Sequence, residues 1–430
     1  MGPFANELHA VDGVSADDVW AVGAIDPGPN YNSRATLAMR FDGSSWTVLP
    51  TPNPDGSETG VDVDQAGLSD VEALSATDVW AVGTAGSIDN LGAQPVMLHW
   101  DGTAWSPVPV PRLGTATDHN GLSGIAAVSS TDVWAVGPYT LYGEGSNTEY
   151  GTLILHWNGS TWSLVPNPCN ATEDVVAISS TDVWAVGDDT CHWDGSAWTA
   201  IPNAPTDNPG SYARLRSVSA TSSGDVWAVG FRAIPYFEGY LYSSRIERWD
   251  GSQWTALPIQ PGDHLDGVLA LSAGDAWAVG SDFGLNLVMH WDGSEWSTQE
   301  VPSLGDGSYL NAVGAAGADL WAAGIYFVDG MGRTATLRRS GSTGGSVAIL
   351  KGAVRSTSGQ TIPGAKVSWR GPQTGSTTTN ARGGYQMTSA SGGSYSITAS
   401  ASGCQSRKAL GDVERGPDGH PQLPSPVRLR

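Results

Sequence analysis

Two places in this chain set a carboxylate beside a histidine, Asp118-His119-Asn120 and Asp263-His264, the pairing that proton-transfer chemistry uses. Neither has a serine or cysteine nucleophile with it, so neither forms a catalytic constellation in the sequence. Two acidic stretches, Asp55-Gly56-Ser57-Glu58 and Asp62-Val63-Asp64, carry oxygen ligands of the kind Ca²⁺ takes, and read equally as solvated loops. Seven aspartates recur at one place in a repeat: Asp18, Asp78, Asp132, Asp182, Asp225, Asp275 and Asp319. A catalytic pair would be unique rather than sevenfold, so these read as turn residues that accept local backbone hydrogen bonds. His99, His156, His192 and His290 also recur one per repeat, whereas a metal needs ligands that converge. Neither a metal nor a cofactor is expected, and the chain reads as not being an enzyme.

Tyrosine behaves differently, because it does not repeat. Of 12 tyrosines, Tyr385 and Tyr395 lie near the C-terminus. The other ten fall in or beside segments of variable length: Tyr31, Tyr139, Tyr142, Tyr150, Tyr212, Tyr236, Tyr240, Tyr242, Tyr309 and Tyr326. Tyrosine is a rigid side chain that stacks and hydrogen-bonds, which suits a protein or carbohydrate contact. All of the ten except Tyr150 are taken as ligand-binding residues. The competing reading is that these rings only pack their own loops.

The elements that must position them are set by the hexad Asp-Val-Trp-Ala-Val-Gly. It stands at 18–23, 78–83, 132–137, 182–187 and 225–230, and in variant form at 275–280 and 319–324. A second block, as in Leu98-His99-Trp100-Asp101-Gly102-Thr103-Ala104-Trp105, follows each of the first six copies. The repeat spans 43 to 60 residues, which suits blades with variable loops better than a solenoid of fixed rise. Each copy reads as four short strands, with an alternating first strand, an unbroken apolar second strand and an Asp-Gly hairpin before the fourth. A strand apolar on both faces must be covered on both faces. The sequence therefore predicts an all-β protein, a seven-bladed β-propeller over residues 1–342. The hexad tryptophans sit in apolar runs and read as core. So do the hairpin tryptophans Trp46, Trp105, Trp162, Trp198, Trp254 and Trp296. Insertions at 24–34, 51–66, 84–94, 110–121, 138–150, 203–213, 231–243 and 303–308 all fall at one end of the blades, so one face is constant and the other diversified.

The last repeat lacks its second block, with Arg339, Ser340 and Gly344 where Trp, Asp and Trp are usual. Its fourth strand is expected from 347–350 or from elsewhere. Residues 1–340 hold 40 acids against 11 Arg and no Lys, a net charge of -29, while 341–430 carry +7. The acidic body repels nucleic acid and anionic membranes, and no 18-residue apolar run exists to span a bilayer. A basic C-terminal part on an acidic body points instead to a protein contact, including one with a second copy. Cys169 and Cys191 lie in one repeat on the same side of the blade, so a bridge and two free thiols are both compatible; a bridge fits an oxidising compartment. Cys404 is left over.

The blades resemble the hexad-repeat propellers found in exported bacterial proteins, over about residues 7–342. That resemblance implies an extracellular or cell-surface protein, although residues 1–6 show no export signal. The hairpin Asp-Gly is similar to an Asp-box but lacks the intervening residue, and with no arginine cluster the sialidase chemistry of that family is not implied. Beyond a Gly/Ser linker, Ile362-Pro363-Gly364-Ala365-Lys366-Val367 and Gly383-Gly384-Tyr385-Gln386-Met387 resemble a carboxypeptidase-regulatory-like (transthyretin-like) β-sandwich, assigned to 347–430. This module implies a spacer or contact role without catalytic residues. The combined expectation is an adhesive or structural scaffold that binds a protein partner or itself, as a homo-oligomer or filament. The alternatives are a lectin-like carbohydrate binder and, third, a glycoside hydrolase or lyase.

Overall fold

A computed structural model describes residues 6–26, 34–53, 65–86, 92–143, 147–170, 172–206, 209–237, 239–258, 262, 264–302, 304–340, 348–356, 360–370, 374–381, 384–389, 393–401, 407–415, 421–422 and 427–429. Every regular element among them is a strand, and none is a helix. The chain divides into two compact units, Met1–Ser340 and Gly341–Arg430.

Among the described residues the first unit holds seven antiparallel sheets in sequence order. The second sheet is representative: Gln65–Ser75, Asp78–Gly86, Gln94–Trp100 and Trp105–Pro107, each paired with the next. The innermost strands of the others are Asn6–Ser15, Gly124–Ser129, Thr172–Ser179, Tyr212–Ser222, His264–Ser272 and Gly307–Ala316. The third sheet gains a short strand, His119–Asn120, on its hexad strand Asp132–Tyr142.

Hexad strands are buried on both sides because alternate residues serve opposite neighbours. Trp80 and Val82 pack with Ile125, Val133 and Leu155 of the third sheet. Val79 and Ala81 pack with Trp20 and Val22 of the first. The alternation continues round to Trp321 and Ala323, which pack with Val19, Ala21 and Phe41 of the first sheet. The sheets thus close into a β-propeller.

Six of the interfaces are built on aromatic contacts between neighbouring sheets. Trp20 meets Trp100 and Trp105 of the next sheet at 5.2 and 5.5 Å, and Trp80 meets Trp157 and Trp162 at 5.5 and 5.6 Å. Trp321 meets Phe41 and Trp46 at 4.9 and 5.4 Å. At Trp277 the guanidinium of Arg339 lies over the ring instead, 4.5 Å from its centre. This follows from the missing tryptophan pair of the last repeat.

The hexad aspartates engage side chains of the third strand, whereas the local backbone N–H bonds expected of them are made by hairpin residues such as Asp42 and Asp101. Asp78, Asp132, Asp182 and Asp275 bond the Nε2 of His99, His156, His192 and His290 on the third strand at 2.8–2.9 Å. Each of these imidazoles lies 4.2–4.4 Å from the hexad tryptophan ring. In the other three sheets the partners are Arg40, Arg248 and Arg338. The hexad glycine has a steric reason: a Cβ on Gly83 would stand 2.0 Å from the carbonyl oxygen of Gly67, and one on Gly230 2.0 Å from that of Arg214.

Cys169 and Cys191 form a disulfide, buried with Trp134 and Trp198 between the third and fourth sheets. Among the described residues the seventh sheet has three strands, Gly307–Ala316, Asp319–Val328 and Met331–Arg339. Residues 348–350 do not complete it. They belong to Ala348–Ser356, which pairs with Gly384–Ser389 and Val427–Leu429 in the second unit. The other sheet of that unit runs Thr374–Thr378, Lys366–Arg370, Gly393–Ser400, Arg407–Arg415 and Pro421–Gln422, with Val354, Ala365, Val367 and Ala399 buried. Gly344 and Cys404 lie outside the described residues.

Because Trp134 is 1% exposed and contacts two rings of the next sheet, Trp134→Ala is expected to lower stability by about 3–5 kcal/mol in urea unfolding. A loss below about 1 kcal/mol would contradict this account of the interface.

Candidate functional site

The innermost strands surround a cavity of about 320 Å³ on the ring axis. Six of them break register at one position, between Leu8 and Ala10, Leu68 and Asp70, Thr172 and Asp174, Leu215 and Ser217, Leu265 and Gly267, and Leu310 and Ala312. A β-bulge inserts one residue and re-aims its side chain. The inserted residues are His9, Ser69, Glu173, Arg216, Asp266 and Asn311, and Ser123 takes the place in the third sheet. All are polar, and only serine occurs twice. A backbone device shared by six sheets, with Ser123 in the third, therefore presents a non-repeating polar ring at the channel mouth.

This ring is electrostatically organised. Glu7 accepts from Asn311 Nδ2 at 3.2 Å and from Arg34 at 3.3 Å, with His9 Nε2 at 3.5 Å. Burial would raise its carboxyl, but the hydrogen bond and charge of His9, then Asn311 and Arg34, outweigh it and lower the pKa to about 2. On the other side Arg214 pairs with Glu173 and stands 3.6 Å from Asp188, while Arg216 and His264 both meet Asp266.

Deeper in the channel stand Asp12, Asp70, Glu72 and Asp174, half-buried by surface area but enclosed by the ring. Three of them tie one sheet to the next: Asp12 accepts from Ala73 N–H, Asp70 from Ile125 N–H and Asp174 from Val218 N–H, each at 2.8 Å. Ser217 and Ser219 do the same for Val268 and Ala270. Enclosure away from water pushes all four carboxyls up. Asp174 rises to about 6; Asp70 rises further under the added charge of Asp174, and Glu72 under those of Asp12 and Asp70. The site thus holds carboxyls of both kinds: Glu7, held down to about 2 at the mouth, and within the channel carboxyls pushed up, Asp174 to about 6.

The tyrosines fall into separate groups. Tyr212, Tyr240 and Tyr242 gather round Phe231 on the fifth sheet, with Tyr212–Tyr240 and Phe231–Tyr242 ring centres both 5.5 Å apart. Burial, then Tyr242 and Tyr240, push the Tyr212 phenol up. Arg216 of the mouth lies 5.1 Å over Phe231, so this cluster adjoins the channel. Tyr236 is beside Phe237 at the tip of the same hairpin. Tyr139 donates to Glu149 on the third sheet, where Tyr142 and Tyr150 are exposed. Tyr309 packs on Phe327 in the seventh, with Tyr326 half-buried beside it. Tyr31 lies outside the described residues.

The acid and histidine pairs do not form sites. Asp118 accepts from Thr115 N–H and Tyr142 N–H, which lowers its pKa and fixes the loop, and Asn120 holds Leu113. His264 turns to Asp266, and Asp263 lies outside the described residues, as do the stretches 55–58 and 62–64. Among the described residues no group of three His, Cys, Asp or Glu is placed to hold a metal ion. The channel residues do not stand out in the sequence because they occupy ordinary positions of alternating strands. The available signal was the pair of inward positions that fails to repeat: Asp12, Glu72, Ala126, Val176, Ser219, Leu269 and Gly314 opposite the hexad tryptophan, with Asp70 and Asp174 two residues earlier.

Residues 349–419 match the carboxypeptidase regulatory-like domain family. No curated protein matches the chain. Solved structures of similar fold include YCF48 bound to D1 peptide, at 15% identity over 79% of this chain and 94% of that one, with a TM-score of 0.48. They also include a mitotic checkpoint complex (10%, 79% and 92%, 0.48) and Penicillium chrysogenum alpha-L-arabinanase complexed with arabinobiose (11%, 78% and 93%, 0.46). At such identities the likeness concerns fold alone. It does correct one expectation: an arabinanase stands among these structures, so the reading of the chain as not an enzyme is withdrawn. The carboxyls that line the channel do not repeat and lie on alternating strands, so no sequence motif marks them.

A carboxyl with a raised folded-state pKa contributes stability that is complete below its unfolded value, about 4, and is lost as pH rises through the folded value. The channel is therefore expected to make the melting temperature fall as pH rises through about 6, the range of Asp174. Glu72→Gln, which removes a like charge, should flatten that fall and raise stability at pH 8; an unchanged pH profile by calorimetry would contradict it.

Proposed function

We propose that this chain is a seven-bladed β-propeller of the cell exterior that holds a protein partner on the face bearing the channel mouth, with its basic C-terminal unit as a second contact surface. One observation carries this reading: the polar ring at the mouth runs through Arg216 and Phe231 into an aromatic cluster whose Tyr212, Tyr240 and Tyr242 rings are 42, 48 and 54% exposed. Contiguous aromatics beside paired charges are what protein interfaces use as anchors and rim. The disulfide supports an oxidising location. The charge split supports a second copy as one partner, the +7 unit of one molecule facing the -29 body of another. Sedimentation of the full chain should then show association at low salt that weakens as salt screens it. A monomer at low and high salt alike removes the electrostatic contact.

A second reading, glycoside hydrolysis, is favoured by a specific feature: Glu173, Asp174 and Asp266 converge on the cavity together with His9. A carboxyl raised to about 6 in the company of other carboxyls suits the general-acid role such hydrolysis needs. Incubation with a polysaccharide panel should release reducing ends with the native chain and at least about tenfold less with Asp174→Asn. No release by the native chain disposes of this reading.

A further inference from the structure

The strand Gly239–Trp249 pairs inward along its whole length with Asp225–Tyr236, from Tyr236 opposite Gly239 to Val226 opposite Trp249. Outward it pairs with Trp254–Ala256 only at Glu247, Arg248 and Trp249. Which backbone groups face outward is fixed by two further bonds. Leu257 N–H donates to Ile246 O, and Ser244 N–H donates to Gly262 O at 2.8 Å. Tyr242 and Tyr240 have the same parity as Ser244 and Ile246, so their N–H and C=O groups also point away from the sheet. Among the described residues these groups meet no partner.

Native edge strands are usually guarded by a charge, a proline or a bulge. From Gly239 to Ser244 the sequence is Gly-Tyr-Leu-Tyr-Ser-Ser, with none of these, in a body that carries 40 acids. The pairing with the inner strand is regular throughout this stretch. One face carries Tyr240 and Tyr242, already ordered by Tyr212 and Phe231. Leu241 on the other face is 53% exposed. An uncharged, flat, aromatic edge of high β-propensity is a template for another strand.

We propose that the occupant is the same edge of a second copy, paired antiparallel about a two-fold axis through Leu241. The outward-facing residues are self-complementary about that point: Tyr240 comes opposite Tyr242 of the second copy, and Tyr242 opposite its Tyr240. Each such pair exchanges N–H···O bonds in both directions, about four bonds in all. This isologous arrangement closes after two chains, so the edge is used up in a dimer and does not propagate. It rests on the reading of this face as a protein contact, but it differs physically from the electrostatic one. Backbone bonds and apolar rings are not screened, so the dimer persists in high salt, where contact between the acidic body and the basic unit is lost.

Leu241 sits opposite itself in this dimer, in a non-hydrogen-bonded pair with Cα atoms about 4.5 Å apart, within disulfide reach. Mild oxidation of Leu241→Cys should therefore give a covalent dimer on non-reducing electrophoresis, whereas the native chain, with Cys404 as its control, should not. Leu241→Lys replaces the apolar Leu241–Leu241 contact with two ammonium groups that must lose hydration at the two-fold axis, a cost that salt does not screen, and should weaken the high-salt dimer by more than about tenfold in sedimentation equilibrium. Its side chain is exposed, and an unchanged thermal midpoint confirms that the variant folds. Tyr242→Pro, which deletes an outward N–H, should do the same, and Tyr242→Val, which keeps that N–H, should cost less. A native chain monomeric in high salt at every concentration overturns the proposal. So does a dimer indifferent to Leu241→Lys, or the absence of cross-linking in Leu241→Cys. Loss of the low-salt association alone, with the high-salt dimer intact, counts against the charge-driven contact and leaves this one standing.

Discussion

A strand that is apolar on both faces must be covered on both sides, and where every described element is a strand the cover is another sheet, so the hexad strands satisfy one another in a closed ring. Trp80 faces forward to the third sheet and Val79 faces back to the first, and the last such pair closes on Val19 and Phe41. Burial on both sides also explains the accessory chemistry. A tryptophan enclosed in this way is positioned by the aspartate two residues before it, through a histidine or arginine laid against its ring. The hexad glycine is needed because the neighbouring carbonyl stands where a Cβ would be.

Closing the ring has a cost at its axis, where innermost strands converge and inward side chains share little water. Carboxylates placed there hold the next sheet by accepting its backbone N–H groups, yet they repel one another and lose solvation. The raised pKa values of Asp70, Glu72 and Asp174 are the measure of that conflict. Structural hydrogen bonding and readiness to exchange a proton are therefore properties of the same side chains. At the mouth the balance reverses, since Glu7 has three partners and stays ionised.

Where the hairpins extend past the packed part of a sheet, neighbouring sheets no longer cover them. The fifth sheet reaches farthest, and its outer strand runs beyond its short fourth-strand partner. The same repeat that protects edges within the ring leaves this one open, beside the one group of tyrosines that adjoins the channel.

Sequence by itself determined the wheel. Hexad periodicity, the Asp-Gly turns and the run of apolar residues fix strand identity and two-sided burial, because these depend on local pattern and on a demand repeated seven times. It also placed the variable loops at one end, marked the last repeat as lacking its tryptophans, and separated a basic second unit. Tertiary structure decided what the axis contains. Asp12, Asp70, Glu72 and Asp174 are 2 to 162 residues apart in the chain and look like ordinary members of alternating strands; only ring closure brings them within reach of each other's charge. The bulges that present His9, Glu173, Arg216 and Asp266 are likewise invisible in composition, since an extra residue in a strand is defined by its partner's register. Which tyrosines form a surface was also settled by packing, because Tyr212 and Tyr240 meet across the hexad strand that their two strands flank in one sheet.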